Sequence, residues 1–457
     1  MNNIKQDIKE NCYFFETGGN RYVFSALTGA VIELNEQIDN LIEKPETIPG
    51  SELYQYLLDS ELLDNILKEK ANTLNQLQIK NLTIYMTDKC NLNCSYCYER
   101  SNESSFDGSN ELDIESFKRN MIFFLDNFEY SDSIALSFFG GEPLLKYNLI
   151  EDCVHFCEEL SDSYNVNFSF GMTTNGTLIN SEIADFLARH NFSIVISIDG
   201  DKKVHDANRK FKNGKGSFEL IRNNLEYLKN RIFTVARVTV HDSRYDFIAA
   251  CDALKALGIN NVAFSLVYAG KKIFTQNDYM LLEEGIRRLQ DYYYNDLNNG
   301  ISFSIYNFSK IISYFSIGYR HMSSILPCSG GVNNFSFSQN GDIYLCHGFA
   351  NNRDYLFGNI NEGLNSSKRL KFLQSQLISN RRDECGKCWA RHLCGGICYA
   401  QAADLNKINS DQNIYCMYNK EMIKAGIKLY ASLTDKQRSN MRSFLKNYDS
   451  ISKVIND

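Results

Sequence analysis

Apolar residues fall along this chain in short continuous runs with helical spacings between them. Six strand-like runs appear in order: Leu82–Thr87, Ile134–Phe139, Asn167–Met172, Phe192–Ile198, Phe233–Val240 and Val262–Tyr268. Between them Phe117, Met121, Phe124 and Phe128 recur at steps of 4, 3 and 4, and Phe218, Ile221, Leu225 and Leu228 at 3, 4 and 3 behind a capping Ser217. Strand–helix alternation predicts a parallel sheet, whose chemistry gathers at the C-terminal strand ends. Ahead of these runs the pattern is different. Tyr13–Phe15 and Tyr22–Phe24 flank Gly18-Gly19-Asn20, a hairpin signal, and Ala30–Leu34 makes a third run. Helical patterns follow at Glu36–Glu43, Glu52–Leu58 and Leu62–Lys70, punctuated by Pro45 and Pro49. Residues 1–76 therefore read as a small winged-helix-like α+β module. Residues 417–457 are mostly helical and polar and carry no evident chemistry.

A length of 457 residues fits two to four domains. No run of ~18 apolar residues exists, so no membrane span is expected. The first residues lack the charged and apolar regions of a signal peptide, which points to the cytoplasm. In that compartment 14 cysteines argue for metal rather than disulfides. The net charge of −7 is unevenly placed: residues 1–70 hold 13 acidic and 6 basic side chains, and the remainder balances. An acidic module disfavours nucleic acid as its partner, because phosphates need a basic surface.

Cys90, Cys94 and Cys97 stand at C-x3-C-x2-C on the loop that leaves the first of the six strands. Three thiolates can hold three irons of a [4Fe-4S] cluster and leave the fourth open. A fragment of a zinc site is the alternative. A second group follows, with Cys328, Gly341 and Cys346 as C-x12-G-x4-C, then Cys385, Cys388, Cys394 and Cys398 as C-x2-C-x5-C-x3-C, and finally Cys416. Zinc ribbons also use C-x2-C pairs. Cys12 fits no motif, Cys251 lies on the apolar face of a helical pattern, and Cys153 and Cys157 are one helical turn apart and are expected in the core. Polar motifs sit at successive strand ends. Gly140-Gly141-Glu142-Pro143 offers close backbone approach and a carboxylate for an ammonium. Thr173-Thr174-Asn175-Gly176 contacts a ligand or merely turns the chain. Ser197-Ile198-Asp199-Gly200 follows, then His205-Asp206-Ala207-Asn208-Arg209, where Arg209 could clamp a carboxylate with help from Ser197.

The three-cysteine spacing, with Tyr96 before its last cysteine, resembles the signature of radical S-adenosylmethionine (SAM) enzymes. The resemblance implies a partial (β/α)6 barrel over residues 77–312. It also implies a [4Fe-4S] cluster whose open iron chelates SAM, which one electron cleaves to methionine and a 5'-deoxyadenosyl radical. SAM contacts implied by the family are Tyr96, Gly140, Gly141, Glu142, Thr174, Asn175, Ser197, Asp199, Arg209 and, on the adenine side, Leu266. The seven later cysteines resemble a SPASM domain, here residues 313–457, whose members bind two auxiliary clusters, three in all with the first. The family interleaves its ligands, so Cys385, Cys388, Cys394 and Cys416 hold one auxiliary cluster and Cys328, Cys346 and Cys398 the other. Asn334 stands where some members place a further cysteine, which leaves room for an open iron that takes a substrate thiolate, unless Cys153 or Cys157 fills that place instead. Residues 1–76 resemble a leader-peptide recognition element, with a structural cap or dimerisation module as the alternative. The implied function is maturation of a ribosomally made precursor peptide, with a thioether between a cysteine sulfur and a carbon as product. A carbon–carbon crosslinking enzyme would look nearly the same. A sulfatase-maturing formylglycine enzyme is a further alternative. That family has a carboxylate after the second SPASM cysteine, where this chain has His347, which could act as a catalytic base. A non-catalytic carrier or electron-transfer protein would not need the SAM motifs. The implied partners are the precursor peptide and an electron donor such as flavodoxin or ferredoxin, with no nucleic acid and no membrane.

Overall fold

The computed structural model describes residues 2–35, 52–97, 111–267, 274–299, 303–319, 324–350, 352–381, 383–407, 413–434 and 437–438. The expected helix at Glu36–Glu43 and the end of the sixth run at Tyr268 lie outside them. A first, antiparallel sheet joins β1 (Cys12–Thr17), β2 (Asn20–Ser25) and β3 (Val31–Leu34) in that order. Thr17 pairs with Asn20, so Gly18-Gly19 alone turns the chain. Both glycines have positive φ, 60° and 82°, which a two-residue hairpin of this twist requires and other residues resist. Helices Glu52–Leu58 and Glu61–Asn72 follow where the apolar spacing places them. A helix at Asn2–Asn11 was not expected, because its sequence offers only Ile4 and Ile8 as a stripe.

Among the described residues the second sheet has eleven strands. Its centre is the six expected strands, each parallel to the next: β4 (Gln78–Tyr85), β5 (Glu129–Phe139), β6 (Asn167–Thr174), β7 (Ser193–Ser197), β8 (Phe233–Val240) and β9 (Asn261–Leu266). β4 and β5 begin earlier than their apolar runs, because Gln78 pairs with Glu129 and carries the ladder into polar sequence. The sheet is longer than the sequence indicates. β10 (Ser304–Ile305) adds in parallel beyond β9. On the other side β11 (Asn334–Phe337) pairs in parallel with β4, and β12 (Asp342–Tyr344), β13 (Gly358–Asn359) and β14 (Gly363–Leu364) continue antiparallel. Residues after 312 thus extend the same sheet, and position 312 itself falls inside the helix Tyr306–Ile317.

The first sheet packs against the C-terminal part of the chain. Phe24 is fully buried, edge-on to Phe315, Tyr319 and Trp389, and Tyr13 stacks on Trp389 at 4.5 Å. Arg391 donates to the Glu10 carbonyl at 3.1 Å and to Asn11 Oδ1 at 2.6 Å. Ile423 and Ile427 of the helix Asn413–Ser432 complete this core. No helix among the described residues is long and apolar enough to cross a membrane.

This docking predicts that Phe24→Ala weakens the first sheet by about 3–5 kcal/mol, the cost of a buried phenyl group and its cavity. Amide exchange should accelerate in Cys12–Ser25 and stay slow in β5 and β6. Phe24→Leu, closer in volume, should cost far less.

Candidate active site

The loop from Cys90 to Cys97 is held at both ends by backbone hydrogen bonds. Gly141 donates to the Thr87 carbonyl at 2.7 Å and Glu142 to the Lys89 carbonyl at 2.9 Å. Asn93 and Ser95 donate to the Lys210 and Asn208 carbonyls at 2.6 and 3.1 Å. The glycine pair is required here: a Cβ on Gly140 would stand 2.4 Å from the Thr87 oxygen, and one on Gly141 2.3 Å from that of Lys89. Asn175 Nδ2 reaches Asn91 Oδ1 at 2.9 Å and lies 3.8 Å from the Cys90 sulfur. The end of β6 therefore braces the cysteine loop.

Glu142 is buried. Its carboxylate accepts from Thr174 Oγ1 and the Asn175 amide, both at 2.7 Å, and from the Leu144 amide at 3.1 Å. Burial pushes its carboxyl up to about 7 against the pull of these donors. The side chain ties the end of β5 to the end of β6 and still lines the cavity described below.

Asp199 is fully buried at the end of β7 and accepts from three elements. Arg209 binds it through Nε at 3.0 Å and Nη2 at 3.2 Å, the Thr239 amide at 3.0 Å, and the Tyr96 hydroxyl completes the set. Burial alone would raise the Asp199 carboxyl, but Arg209 outweighs it and holds it below its usual range. The Arg209 guanidinium also lies 5.3 Å from the centre of the Tyr96 ring. Asp199 does not line the cavity, whereas Arg209, Tyr96 and Ser197 do. The expected cofactor contact at Asp199 is thus corrected: all its acceptor capacity is turned inward, and it positions Arg209 and Tyr96.

Behind this pair lies a relay. His205 Nδ1 accepts from the Asp199 amide at 3.3 Å, so the proton sits on Nε2, which donates to Ser217 Oγ at 2.9 Å. Ser217 in turn donates to the Arg209 carbonyl at 2.7 Å. Burial, then the nearby Arg209 charge, push His205 down to about 4.

A cavity of about 530 Å³ opens at these strand ends. Cys90, Cys94 and Cys97 line it, together with Gly140, Gly141, Glu142, Thr174, Asn175 and Leu266. So do Cys328, Cys346, Cys394, Cys398, Asn334 and His347 from the C-terminal region. The later cysteines fall into two sets. Cys398 and Cys328 are close enough to Cys346 to raise its thiol further, after burial. Burial, and then Cys416, Cys388 and Cys385, act on Cys394 in the same direction, taking it to about 11. Cys385, Cys388 and Cys416 lie outside the cavity lining. None of these cysteines is in a disulfide, and no three His, Cys, Asp or Glu among the described residues are drawn together tightly enough for a single metal ion. Cys153 and Cys157 are fully buried in the core. His347 packs on Phe139 at 4.0 Å, and burial followed by Arg237 pushes it down to about 4. Arg237 and Tyr418, which also line the cavity, are not in any motif. A charged residue in the middle of an apolar strand run was the available signal for the first.

The relay makes a pH prediction. A histidine held at about 4 when folded and near 6.5 when unfolded adds stability that is complete above 6.5 and is lost as pH falls toward 4. Between pH 7.5 and 5 the segment Asp199–Ser217 should lose about 2 kcal/mol of exchange protection, corrected for intrinsic rates. In His205→Gln, which cannot titrate, the loss should disappear.

Residues 84–246 match the model of the Radical SAM superfamily. An uncharacterized protein of Methanocaldococcus jannaschii is 34% identical over 197 residues, which cover 42% of this chain and 65% of that protein. The chain thus spans just under two thirds of that relative. A cysteine-type anaerobic sulfatase-maturating enzyme of Clostridium novyi is 27% identical over 369 residues, 75% of this chain and 93% of the enzyme. Among solved structures, anSMEcpe with bound AdoMet superposes with a TM-score of 0.64 at 22% identity, covering 81% of this chain and 99% of that one. SuiB of Streptococcus suis bound to its precursor peptide SuiA has a TM-score of 0.50 at 18% identity, covering 88% and 96%. At these identities the two structures establish a shared fold. The parallel barrel strands, the cysteine loop and the family match agree: the chain carries a radical SAM superfamily domain and is related to anaerobic sulfatase-maturating enzymes.

Proposed function

We propose that this protein is a radical SAM enzyme that matures a ribosomally made precursor peptide by joining a cysteine sulfur to a carbon of another residue. The observation that carries the proposal is one cavity lined both by Cys90, Cys94 and Cys97 and by Cys328, Cys346 and Cys398. A substrate in that cavity reaches both sets of thiolates at once. Cys90, Cys94 and Cys97 are the proposed ligands of the SAM-binding cluster. Cys328, Cys346 and Cys398 are those of one auxiliary cluster, and Cys385, Cys388, Cys394 and Cys416 those of the other. When bound, these groups and SAM supply the 5'-deoxyadenosyl radical that removes a substrate hydrogen, and an acceptor for the electron released as the carbon–sulfur bond forms.

The chain's own residues bind, orient and exclude water. Arg209, fixed by Asp199, offers its cation to the SAM carboxylate beside Ser197, while Gly140, Gly141 and Glu142 face the SAM ammonium. Thr174, Asn175 and Tyr96 frame the same site, and Leu266 covers the adenine side. Val195, Val267 and Ile311 add apolar wall that keeps water from a reactive carbon centre. Asn334 is buried with Oδ1 unpartnered, in keeping with an iron of the Cys328 set that is open to a substrate thiolate. His347, with an unpartnered Nδ1, is the proposed proton acceptor nearby. Residues 1–76 are proposed to hold the leader along β3, which pairs only with β2 among the described strands. Support for a peptide substrate comes from SuiB, whose structure holds a precursor peptide.

A second reading, formylglycine formation, is favoured by the similarity to the Clostridium novyi enzyme over most of this chain. The product separates the two. A cysteine-containing precursor co-expressed with the enzyme should come out lighter by two hydrogens, with its sulfur retained and its thiol closed to alkylation. Loss of the sulfur with a new aldehyde would establish the second reading instead. Anaerobically reconstituted protein should hold ~12 irons and ~12 sulfides per chain, at four per cluster. Joint replacement of Cys90, Cys94 and Cys97 by Ala should lower both to ~8 and abolish 5'-deoxyadenosine formation. Zinc in place of iron after residue 313 would refute the three-cluster assignment.

A further inference from the structure

Arg237 stands in the middle of β8, between Phe233-Thr234-Val235-Ala236 and Val238-Thr239-Val240. It pairs in register with Ser197 of β7 and lines the cavity. Arg209, on the same cavity, is bound to Asp199, and Lys310 is also partnered. The Arg237 guanidinium makes no hydrogen bond or ion pair with any described residue. A half-buried cation without a counter-charge is costly, because it gives up water and gains nothing in exchange. Such a group is stable in the closed complex only if the ligand carries an anion to it.

Two further polar groups face the same wall from other elements. Tyr418, on the helix Asn413–Ser432, is buried with its hydroxyl unpartnered, and His347 has an unpartnered Nδ1. Arg237, Tyr418 and His347 line one cavity, and the Arg237 charge acts on both of the others. His347 follows Cys346, and Tyr418 is two residues from Cys416. Arg209 by contrast acts on Tyr96 and feels Cys94. The charges of the two arginines thus act on different groups, Arg209 on Tyr96 of the first cysteine loop and Arg237 on His347 and Tyr418 next to the later cysteines. With one anion assigned to Arg209, Arg237 is left for another. A planar guanidinium fork suits a carboxylate, and a phenol hydroxyl can donate a second bond to it.

We propose that Arg237, with Tyr418 beside it, binds a carboxylate of the peptide substrate and so selects peptides with an acidic residue near the reacting cysteine. This rests on the peptide reading above. It adds a recognition element that none of the motifs contains.

The test uses reconstituted full-length enzyme and pairs of peptides. Each pair has one Cys and the same sequence, with either Asp or Asn at a position stepped along the chain from the Cys. At one position the wild type should prefer the Asp peptide in kcat/KM by about tenfold or more, as a charge-assisted pair would give. Arg237→Gln should erase that preference by slowing only the Asp peptide. Arg237→Lys should keep part of it, and Tyr418→Phe, which preserves the ring, should reduce it. SAM affinity, measured by equilibrium dialysis, reports the competing source of a carboxylate. A tenfold loss of SAM affinity in Arg237→Gln with the Asp preference intact would put the SAM carboxylate on Arg237 and overturn the proposal. Equal treatment of Asp and Asn by the wild type at every position would also overturn it. If the wild type modifies no peptide at all, the peptide reading itself fails, and this inference with it.

Discussion

Much of the architecture around the cavity depends on one buried carboxylate. Asp199 has no exposure, and its donors come from the cysteine loop, from Arg209 beyond the following short helix, and from β8. Each donor satisfies part of a charge that would otherwise be stranded in the protein interior. Leaving such a charge uncompensated costs about 3–5 kcal/mol. The loop, the helix and β8 must therefore all be in place together. The constraint also runs outward, because Arg209 can present a cation to the cavity only while Asp199 fixes its Nε side. His205 and Ser217 extend the same control to the backbone of Arg209.

The six central strands and the first hairpin were legible because each is a compact apolar run bounded by turn residues. The cysteine motifs stood out because their spacing is rare. The later strands were not. β11 reads Asn-Phe-Ser-Phe and β13 only Gly-Asn, too short and too polar to stand out, and their pairing is decided by a partner far away in sequence. The motif ending at Asp199 was visible, but which of its side chains face the ligand depends on burial that spacing does not encode. Arg237 was missed: a charge inside an apolar strand was its one signal in the sequence, and only the fold put it on the cavity wall.

The docking of the first sheet bears on its role. Its apolar face lies against Trp389, next to Cys388, and Arg391 reaches back to Glu10 and Asn11. Lys420, on the helix below, sits near Cys388 and Cys416. One face of the sheet is thus occupied as structure, while the β3 edge is left without a strand partner among the described residues. A module can cap a domain with its face and bind with its edge, so the two expectations for residues 1–76 are compatible.

The pairing of β11 with β4 sets an order on biosynthesis. β4 is the first barrel strand to leave the ribosome, yet the strand that covers its outer side is made about 250 residues later. At ~5–20 residues per second, that edge waits on the order of 10–50 s without its neighbour. A long apolar strand edge in that condition is a template for wrong pairing. Cells making this protein in quantity face a kinetic hazard at β4, and a chain cut short before residue 334 would keep it permanently.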